Sequence, residues 1–327
     1  MKPRIGTISF QPIDCLSIVF YSFLLIIAFV FWPQLARPGF LLFRVSAFLL
    51  ALILLCRVCT LLNERKENPE HPLGPPPGHA RCWHALHDIY PVLLMVNAYD
   101  SLGELVPQIT KEGFDKTFEA VDTWIIGQRL EPLLDRAVIP WLSDLLQIGY
   151  CTYFFWLFCL LILFYRRRDD NHLAYDDFIF HMLVGFYLCF LGYIVFPTMG
   201  PRKLIADTPV TSGIWSTLNN LEKNKFDAFP SGHAAEMLLM TFLAHRHARK
   251  LLALVVVSTV LVITATVYCR YHYIADVLAG AVVMLGVVAG APRLRRLLSR
   301  ESIAEASGQV DSEKAGSSAR PVEQAGD

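Results

Sequence analysis

The sequence predicts an all-α fold, a polytopic transmembrane helical bundle, and two observations support this. The chain has 327 residues, of which 54% are hydrophobic and only 18% are charged, whereas soluble domains carry about a quarter charged residues. Several apolar stretches approach the roughly 20 residues that a helix needs to cross a bilayer. The formal net charge is zero, so composition gives no indication of a nucleic-acid partner.

Seven apolar runs are expected to cross the membrane as helices, at residues 15–33, 40–62, 142–165, 177–197, 233–247, 251–269 and 273–291. The first run is too long for the apolar core of a signal peptide, and no small-residue cleavage site follows it. An eighth run, 89–106, is interrupted by Asp100 and Glu104. It is either an interfacial or re-entrant helix or an extra crossing, and this choice decides the side of the N-terminus.

The composition divides the chain into four parts. Residues 1–62 form an N-terminal transmembrane pair, 63–141 a loop with the interfacial or re-entrant helix, and 142–300 the membrane core that carries the chemistry. The Pro-rich stretch 63–80 is expected to be an extended loop. The last part, 301–327, has almost no large apolar residues and is expected to be a disordered tail.

Cysteines and histidines give weak metal signals. Cys56-x-x-Cys59 has a spacing seen in redox and metal sites, but its position in a membrane helix favours plain packing. Four histidines lie close together in the chain, at His71, His79, His84 and His87. Their spacing matches no compact zinc pattern. We therefore expect no metal and no cofactor, and there is no glycine-rich nucleotide loop.

The strongest functional signal is a pair of histidines at the edges of apolar runs, because ionisable residues there are functional candidates by default. The first is His233, in Pro230-Ser231-Gly232-His233. Ser231 is a good N-cap, and the free N–H groups of a helix start, with a bare Gly232 beside them, suit a phosphate. The alternative is an ordinary capped helix with an interfacial histidine.

The second histidine, His272, is followed four residues later by Asp276. This spacing places both side chains on one helix face. A carboxylate on one imidazole nitrogen fixes the tautomer and makes the other nitrogen more nucleophilic. The alternative is a structural pair in which two buried polar groups satisfy each other.

Counting the helix crossings places the two histidines and a nearby arginine on the same face of the membrane. The run 177–197 ends on one membrane face, the loop 198–232 stays there, and the next two runs form a hairpin that returns to it. His233, His272 and Arg202 therefore share a face. Arg202 and Lys203 suit phosphate oxygens, or they form a basic pair at the lipid headgroups. Arg270 is a second candidate clamp.

The opposite face collects the basic residues of short segments, namely Arg166, Arg167, Arg168, Arg246, Arg249, Lys250, Arg293, Arg295, Arg296 and Arg300. Short positive segments mark the cytoplasmic side of a membrane. We therefore expect a multi-pass integral membrane protein whose histidine-bearing face is extracytoplasmic.

These motifs resemble the type 2 phosphatidic acid phosphatase superfamily, most closely its branch near inositol phosphorylceramide synthase. The resemblance rests on Gly-Pro-Arg at 200–202, Pro-Ser-Gly-His at 230–233 and His-x-x-x-Asp at 272–276, in the expected order, and covers about residues 140–291. The segment 99–103 also resembles that branch. Two departures concern the phosphate clamp: Gly-Pro-Arg-Lys replaces the usual Lys-x6-Arg-Pro, and Thr266 stands where the family has arginine.

The resemblance implies a catalytic core of the phosphatidic acid phosphatase/haloperoxidase type. His272 would attack phosphorus and form a phosphohistidine, Asp276 would orient it, and His233 would protonate the leaving alcohol and then activate water or an acceptor alcohol. The phosphate would be held by donors from Arg202, Lys203, Ser231, Gly232 and Arg270. Such preorganised donors need no metal.

The implied substrate is a lipid phosphate or phosphodiester, and the acceptor is water or a lipid or polyol alcohol. A second hypothesis is a catalytically silent membrane transporter or scaffold with the same fold, which the intact His233, His272 and Asp276 disfavour. A third, vanadate-dependent peroxidase chemistry, is disfavoured because those relatives are soluble.

Overall fold

The structure is a computed structural model that describes residues 8–67, 79–110, 112–168, 172–203, 205, 208–221 and 224–317. In these residues the regular structure is helical, without strands, which confirms the predicted fold class. The α-helices, in chain order, are α1 (Pro12–Val30), α2 (Pro38–Glu67), α3 (Ala80–Ile109), α4 (Asp115–Ile126), α5 (Leu130–Arg136), α6 (Pro140–Arg166), α7 (His172–Val195), α8 (Pro209–Leu221), α9 (Gly232–His247), α10 (Leu252–Tyr268) and α11 (Ile274–Ser317).

Six segments of the described chain are long and apolar enough to cross a membrane, and they lie in α1, α2, α6, α7, α10 and α11. The chain is therefore an integral, multi-pass membrane protein. Its apolar window in α7 is 72% buried, whereas the other five windows are at most 39% buried. Helix α7 thus lies at the centre of the bundle, and the others present apolar side chains outward, as lipid contact requires.

The ambiguous run 89–106 lies within α3, which extends along the bundle and does not turn back. Near its start, His87 contacts Asp14 at the beginning of α1. Near its end, the side chain of Gln108 accepts a hydrogen bond from the backbone of Ala36, just beyond the end of α1. Glu104 is paired with Arg44 at 2.7 Å. Helix α3 therefore runs alongside α1 over the length of that helix, although it is not among the six segments that are long and apolar enough to cross a membrane.

The expected span 233–247 corresponds to α9, a helix of only 16 residues. It is too short to be one of the six segments that could cross a membrane. Its start is fixed by a backbone hydrogen bond from Ser231 to Asp276 at 2.9 Å, and its last residue, His247, contacts Asp177 near the start of α7. A Cβ at Gly280 would lie 2.5 Å from the carbonyl oxygen of Ser231, so glycine is needed where α11 meets the start of α9.

The structure describes parts of two stretches that the sequence predicts to be irregular. Helix α11 continues to Ser317, into the expected tail 301–327, whose disorder stays a prediction. Alanine, glutamate, glutamine and lysine in this stretch are good helix formers, and extending an existing helix avoids the cost of nucleation. Residues 318–327 lie outside the described chain. Of the Pro-rich stretch, 63–67 belong to α2, and 68–78 lie outside the described residues.

Candidate active site

A cavity of about 280 Å³ lies among α3, α6, α7 and the starts of α9 and α11. Most of its wall is apolar or aromatic, and its charged and imidazole groups are Arg202, Asp227, His233 and His272. Gly232 also lines it. The structure therefore brings together four of the residues singled out from the sequence, namely Arg202, Gly232, His233 and His272.

His272 lies in the turn between α10 and α11. The carbonyl oxygen of Thr266 accepts the backbone N–H groups of both Tyr271 and His272 at 3.0 Å, which fixes this turn. The ring atom Nδ1 lies 2.9 Å from the carbonyl oxygen of Ala228. A carbonyl can only accept, so Nδ1 carries the proton of the neutral ring. The other nitrogen, Nε2, is then the one with a free lone pair.

The predicted orienting carboxylate, Asp276, is fully buried, and its Oδ2 lies 3.5 Å from Nδ1 of His272. The same oxygen accepts the backbone N–H of Tyr273 at 2.8 Å. Asp276 thus caps the first turn of α11 and places negative charge beside the histidine ring. The closer partner of the ring is the Ala228 carbonyl, which the sequence did not reveal because backbone atoms leave no residue signature.

Another carboxylate, Asp122 of α4, also holds the start of α11. It accepts the backbone N–H groups of Ile274 at 2.8 Å and of Ala275 at 2.9 Å. Burial raises the pKa of the Asp122 carboxyl, and these two hydrogen bonds oppose that shift. Sequence reasoning missed Asp122, because a single acidic residue in a short amphipathic helix gives no signal of its distant partner.

His233 lies in the first turn of α9, directly after Gly232. The predicted N-cap is present, since the Ser231 hydroxyl accepts the backbone N–H of Ala234 at 3.3 Å. The ring of His233 contacts the rings of Tyr150 and Tyr153, with centroids 4.4 and 4.6 Å away. Its Nδ1 lies 3.3 Å from the Tyr150 hydroxyl. The centroids of the two catalytic candidates, His233 and His272, are 5.8 Å apart.

The glycine at position 200 allows the chain to reach the cavity. Gly200 has φ +77°, and a Cβ there would lie 2.2 Å from the carbonyl oxygen of Tyr271. Only glycine fits both the left-handed conformation and this close approach. The backbone N–H of Arg202 then donates to the carbonyl of Arg270 at 2.6 Å, which ties the 198–203 loop to the turn that carries His272.

The guanidinium of Arg202 lies in the cavity wall. Its Nη2 donates to Oδ1 of Asp227 at 2.5 Å, and its Nε donates to the carbonyl of Met199 at 2.7 Å. The other carboxylate oxygen of Asp227 accepts the hydroxyl of Tyr99 at 2.5 Å. The segment 99–103, which also resembles that branch in sequence, therefore contributes Tyr99 to the cavity.

Two predicted phosphate contacts lie elsewhere. Lys203 pairs with Glu131 at 2.9 Å and Asp135 at 3.4 Å, and these hydrogen bonds raise the pKa of the lysine. Arg270 is buried and donates to Asp135 at 2.8 Å. Neither side chain lines the cavity. Both are drawn to the acidic residues of α5, and a left-handed backbone (φ 62°) at Arg270 accompanies this placement.

The fold and the paired histidines define a class: a multi-pass membrane protein with a two-histidine site at one end of its bundle. The chain matches the PAP2 superfamily over residues 120–290, more than half its length. It therefore belongs to this superfamily. The match includes Arg202, Asp227, His233 and His272.

A PA-phosphatase related-family protein of Dictyostelium discoideum is 24% identical over 163 residues. The alignment covers 42% of this chain and 30% of that protein, so it spans less than a third of the relative. No solved structure matches this chain.

Proposed function

We propose that this protein is an integral membrane lipid phosphatase or phosphotransferase that acts on a lipid phosphate or phosphodiester through a phosphohistidine. One observation carries the proposal: two imidazole rings, 5.8 Å apart, line one mainly apolar cavity together with an arginine. Membership of the PAP2 superfamily supports a phosphatase-type activity.

In the first half-reaction, Nε2 of His272 attacks phosphorus, an N–P bond forms, and the P–O bond to the leaving alcohol breaks. His233 gives its proton to the departing oxygen. The ring of His272 becomes cationic, and the Ala228 carbonyl, at 2.9 Å, and the Asp276 carboxylate, at 3.5 Å, stabilise that charge. Proton transfer by a positioned side chain, here His233, typically contributes about 10²–10⁴-fold.

In the second half-reaction, His233 removes a proton from water or from an acceptor alcohol, whose oxygen attacks the phosphorus. The N–P bond breaks, and the electron pair returns to Nε2 of His272. Water yields free phosphate or a phosphomonoester, and an alcohol yields a new phosphodiester or phosphomonoester. The resemblance to the branch near inositol phosphorylceramide synthase favours transfer to a lipid or polyol alcohol.

The phosphate oxygens would be held by the Arg202 guanidinium and by backbone N–H groups at the start of α9, beside Gly232. A planar guanidinium matches phosphate geometry better than a point charge, and a helix start attracts anions. Ser231 supports this site as the cap of α9. Lys203 and Arg270, the other predicted contacts, would act only indirectly, through their links to α5.

A lipid substrate is supported by the apolar part of the cavity wall, which includes Met95, Val96, Phe154, Leu157, Phe186 and Phe190. An alkyl chain placed there gains about 0.8 kcal/mol per buried methylene. A small water-soluble phosphate ester gains nothing from this wall. The site therefore favours an ester whose alcohol carries a hydrocarbon chain.

The site is proposed to face the extracytoplasmic side. Arg168, Arg246 and Arg295 lie at the other end of the bundle, where they pair with Asp88 or Asp177. Basic residues in short segments mark the cytoplasm. The cavity lies at the opposite end of α7 and α9 from this basic group.

The test uses purified protein in detergent and a radiolabelled lipid phosphate, with and without acceptor alcohols. Free phosphate identifies a hydrolase, and a new labelled lipid that appears only with an acceptor identifies a transferase. His272→Ala should give neither product. A silent transporter or scaffold, the competing hypothesis, would give neither product with the wild type across glycerolipid, sphingolipid and polyisoprenyl phosphates, and this result would refute the proposal.

A further inference from the structure

A second cluster of chemically reactive side chains lies outside the proposed mechanism. It consists of Asp14 at the start of α1, Cys56 in α2 and His87 in α3. All three are buried, and their carboxylate, thiol and imidazole ligand atoms lie within 4.8 Å of one another. His87 precedes the cavity residue Tyr99 by twelve positions on the same helix, which is about 18 Å along the helix axis. The cluster is therefore remote from the two-histidine site.

The distances in the cluster match the edges of a tetrahedral metal site. Nε2 of His87 lies 3.1 Å from Oδ1 and 3.2 Å from Oδ2 of Asp14, and 3.7 Å from Sγ of Cys56. Zinc bonds nitrogen and oxygen at about 2.0–2.2 Å and sulfur at about 2.3 Å, so tetrahedral geometry places ligand nitrogen and oxygen about 3.4 Å apart, and nitrogen and sulfur about 3.6 Å apart. The three groups already lie near those separations.

Hydrogen bonds already link the three groups: Nε2 of His87 faces a carboxylate and a sulfur at the same time, and the Cys56 thiol is hydrogen-bonded to Asp14. A divalent ion would bond all three groups at once. With a neutral imidazole, a thiolate and a carboxylate, the ligands carry two negative charges, so a divalent ion makes the site neutral. Neutrality matters because an uncompensated charge buried in a membrane protein is costly.

The neighbours of the cluster hold its ligands in place. The backbone N–H of Gln11 donates to Oδ2 of Asp14 at 2.7 Å, and such outer hydrogen bonds orient metal ligands. The Cys59 thiol, one turn beyond Cys56, faces the carbonyl of Trp83 at 3.8 Å. The sequence predicts that both cysteines of the Cys-x-x-Cys pair serve packing, whereas the structure places Cys56 in the cluster and Cys59 outside it.

We propose that Asp14, Cys56 and His87 bind a transition-metal ion, with Zn²⁺ as the best match. This ion would cross-link α1, α2 and α3. The mixed nitrogen, oxygen and sulfur donor set suits zinc. Three protein ligands leave a fourth position for water. The site joins three helices from separate parts of the chain and stabilises the N-terminal unit that packs against α7.

The test uses full-length protein in detergent, stripped with a chelator and titrated with Co²⁺ as a spectroscopic probe. We expect about one equivalent to give a thiolate-to-cobalt charge-transfer band with tetrahedral visible bands, and Zn²⁺ to abolish both. Cys56→Ser should remove the charge-transfer band, and His87→Ala should weaken binding by more than the 10–100-fold that loss of an outer-shell partner costs. Cys59→Ser is the matched control and should retain the band.

Thermal unfolding provides an independent measurement. Zn²⁺ should raise the Tm of the wild type and of Cys59→Ser, and it should leave that of Asp14→Asn unchanged. The proposal is overturned if wild-type protein shows no thiolate-to-cobalt band, a result that does not depend on any variant folding. It is also overturned if Cys59→Ser abolishes the band while Cys56→Ser retains it.

Discussion

Replacing Arg202 by lysine keeps the positive charge at the cavity wall and removes the planar fork. In the structure two guanidinium atoms are used at once, Nη2 toward Asp227 at 2.5 Å and Nε toward the Met199 carbonyl at 2.7 Å. A single ammonium nitrogen cannot occupy both places. We therefore expect Arg202→Lys to misplace the charge relative to the phosphate oxygens.

The expected cost follows from one lost charge-assisted hydrogen bond, about 1.5–3 kcal/mol. At 1.36 kcal/mol per factor of ten, this corresponds to roughly a 10- to 150-fold loss in rate. A contact made mainly in the transition state should lower kcat more than it raises KM. The assay is initial-rate release or transfer of labelled phosphate in detergent, over a range of substrate concentrations.

The matched control is Arg270→Lys. Arg270 donates to Asp135 outside the cavity, so this change should lower the Tm and leave kcat per folded molecule near that of the wild type. The reverse pattern, with Arg202→Lys active and Arg270→Lys inactive despite folding, would assign the phosphate clamp to Arg270 and refute the proposed role of Arg202.

Three further predictions concern the acid, the cavity loop and the orientation. His233→Ala should lose about 10²–10⁴-fold on alkyl phosphates and clearly less on an ester with a good leaving group; an equal loss on both would exclude the acid role. Gly200→Ala should lower the free energy of unfolding by at least about 1–2 kcal/mol, because residue 200 has a positive φ. Gly213→Ala, at a position with open space around it, should not lower it. Equal Tm values for the two variants would contradict this prediction. A reporter fused after residue 300 should be cytoplasmic and a cysteine placed within residues 208–221 should label from outside intact cells, whereas labelling only after permeabilisation would reverse the topology.

The sequence was most informative where a pattern is local. Apolar runs predicted the helices, because membrane helices must bury their backbone hydrogen bonds and cover themselves with apolar side chains. Ser231 could be predicted as a cap because capping depends on residues three positions apart. His233 and His272 could be placed on one face by counting helices, and the structure brings their rings within 5.8 Å.

Contacts between distant segments could not be predicted in the same way. Ala228 holds the His272 ring through its backbone, and Asp122 holds the start of α11 from a separate helix. Lys203 and Arg270 look like phosphate ligands in the sequence, but acidic residues about 70 and 135 positions earlier in the chain bind them. The full length of α3 could not be predicted either, because charged residues interrupt its apolar run. Composition does not show that one of them, Glu104, has a partner in Arg44.

The proposed mechanism depends on a phosphohistidine at His272, and this intermediate can be trapped. His233→Ala should be incubated with a labelled phosphate ester that has a good leaving group, because this variant forms the intermediate but cannot activate water to release it. We expect label that is stable to base, labile to acid and located on the peptide containing His272. The exposed His245, near the basic end of the bundle, supplies the control His245→Ala, which should turn over normally. Label that survives acid, or that persists in His272→Ala, would exclude His272 as the nucleophile.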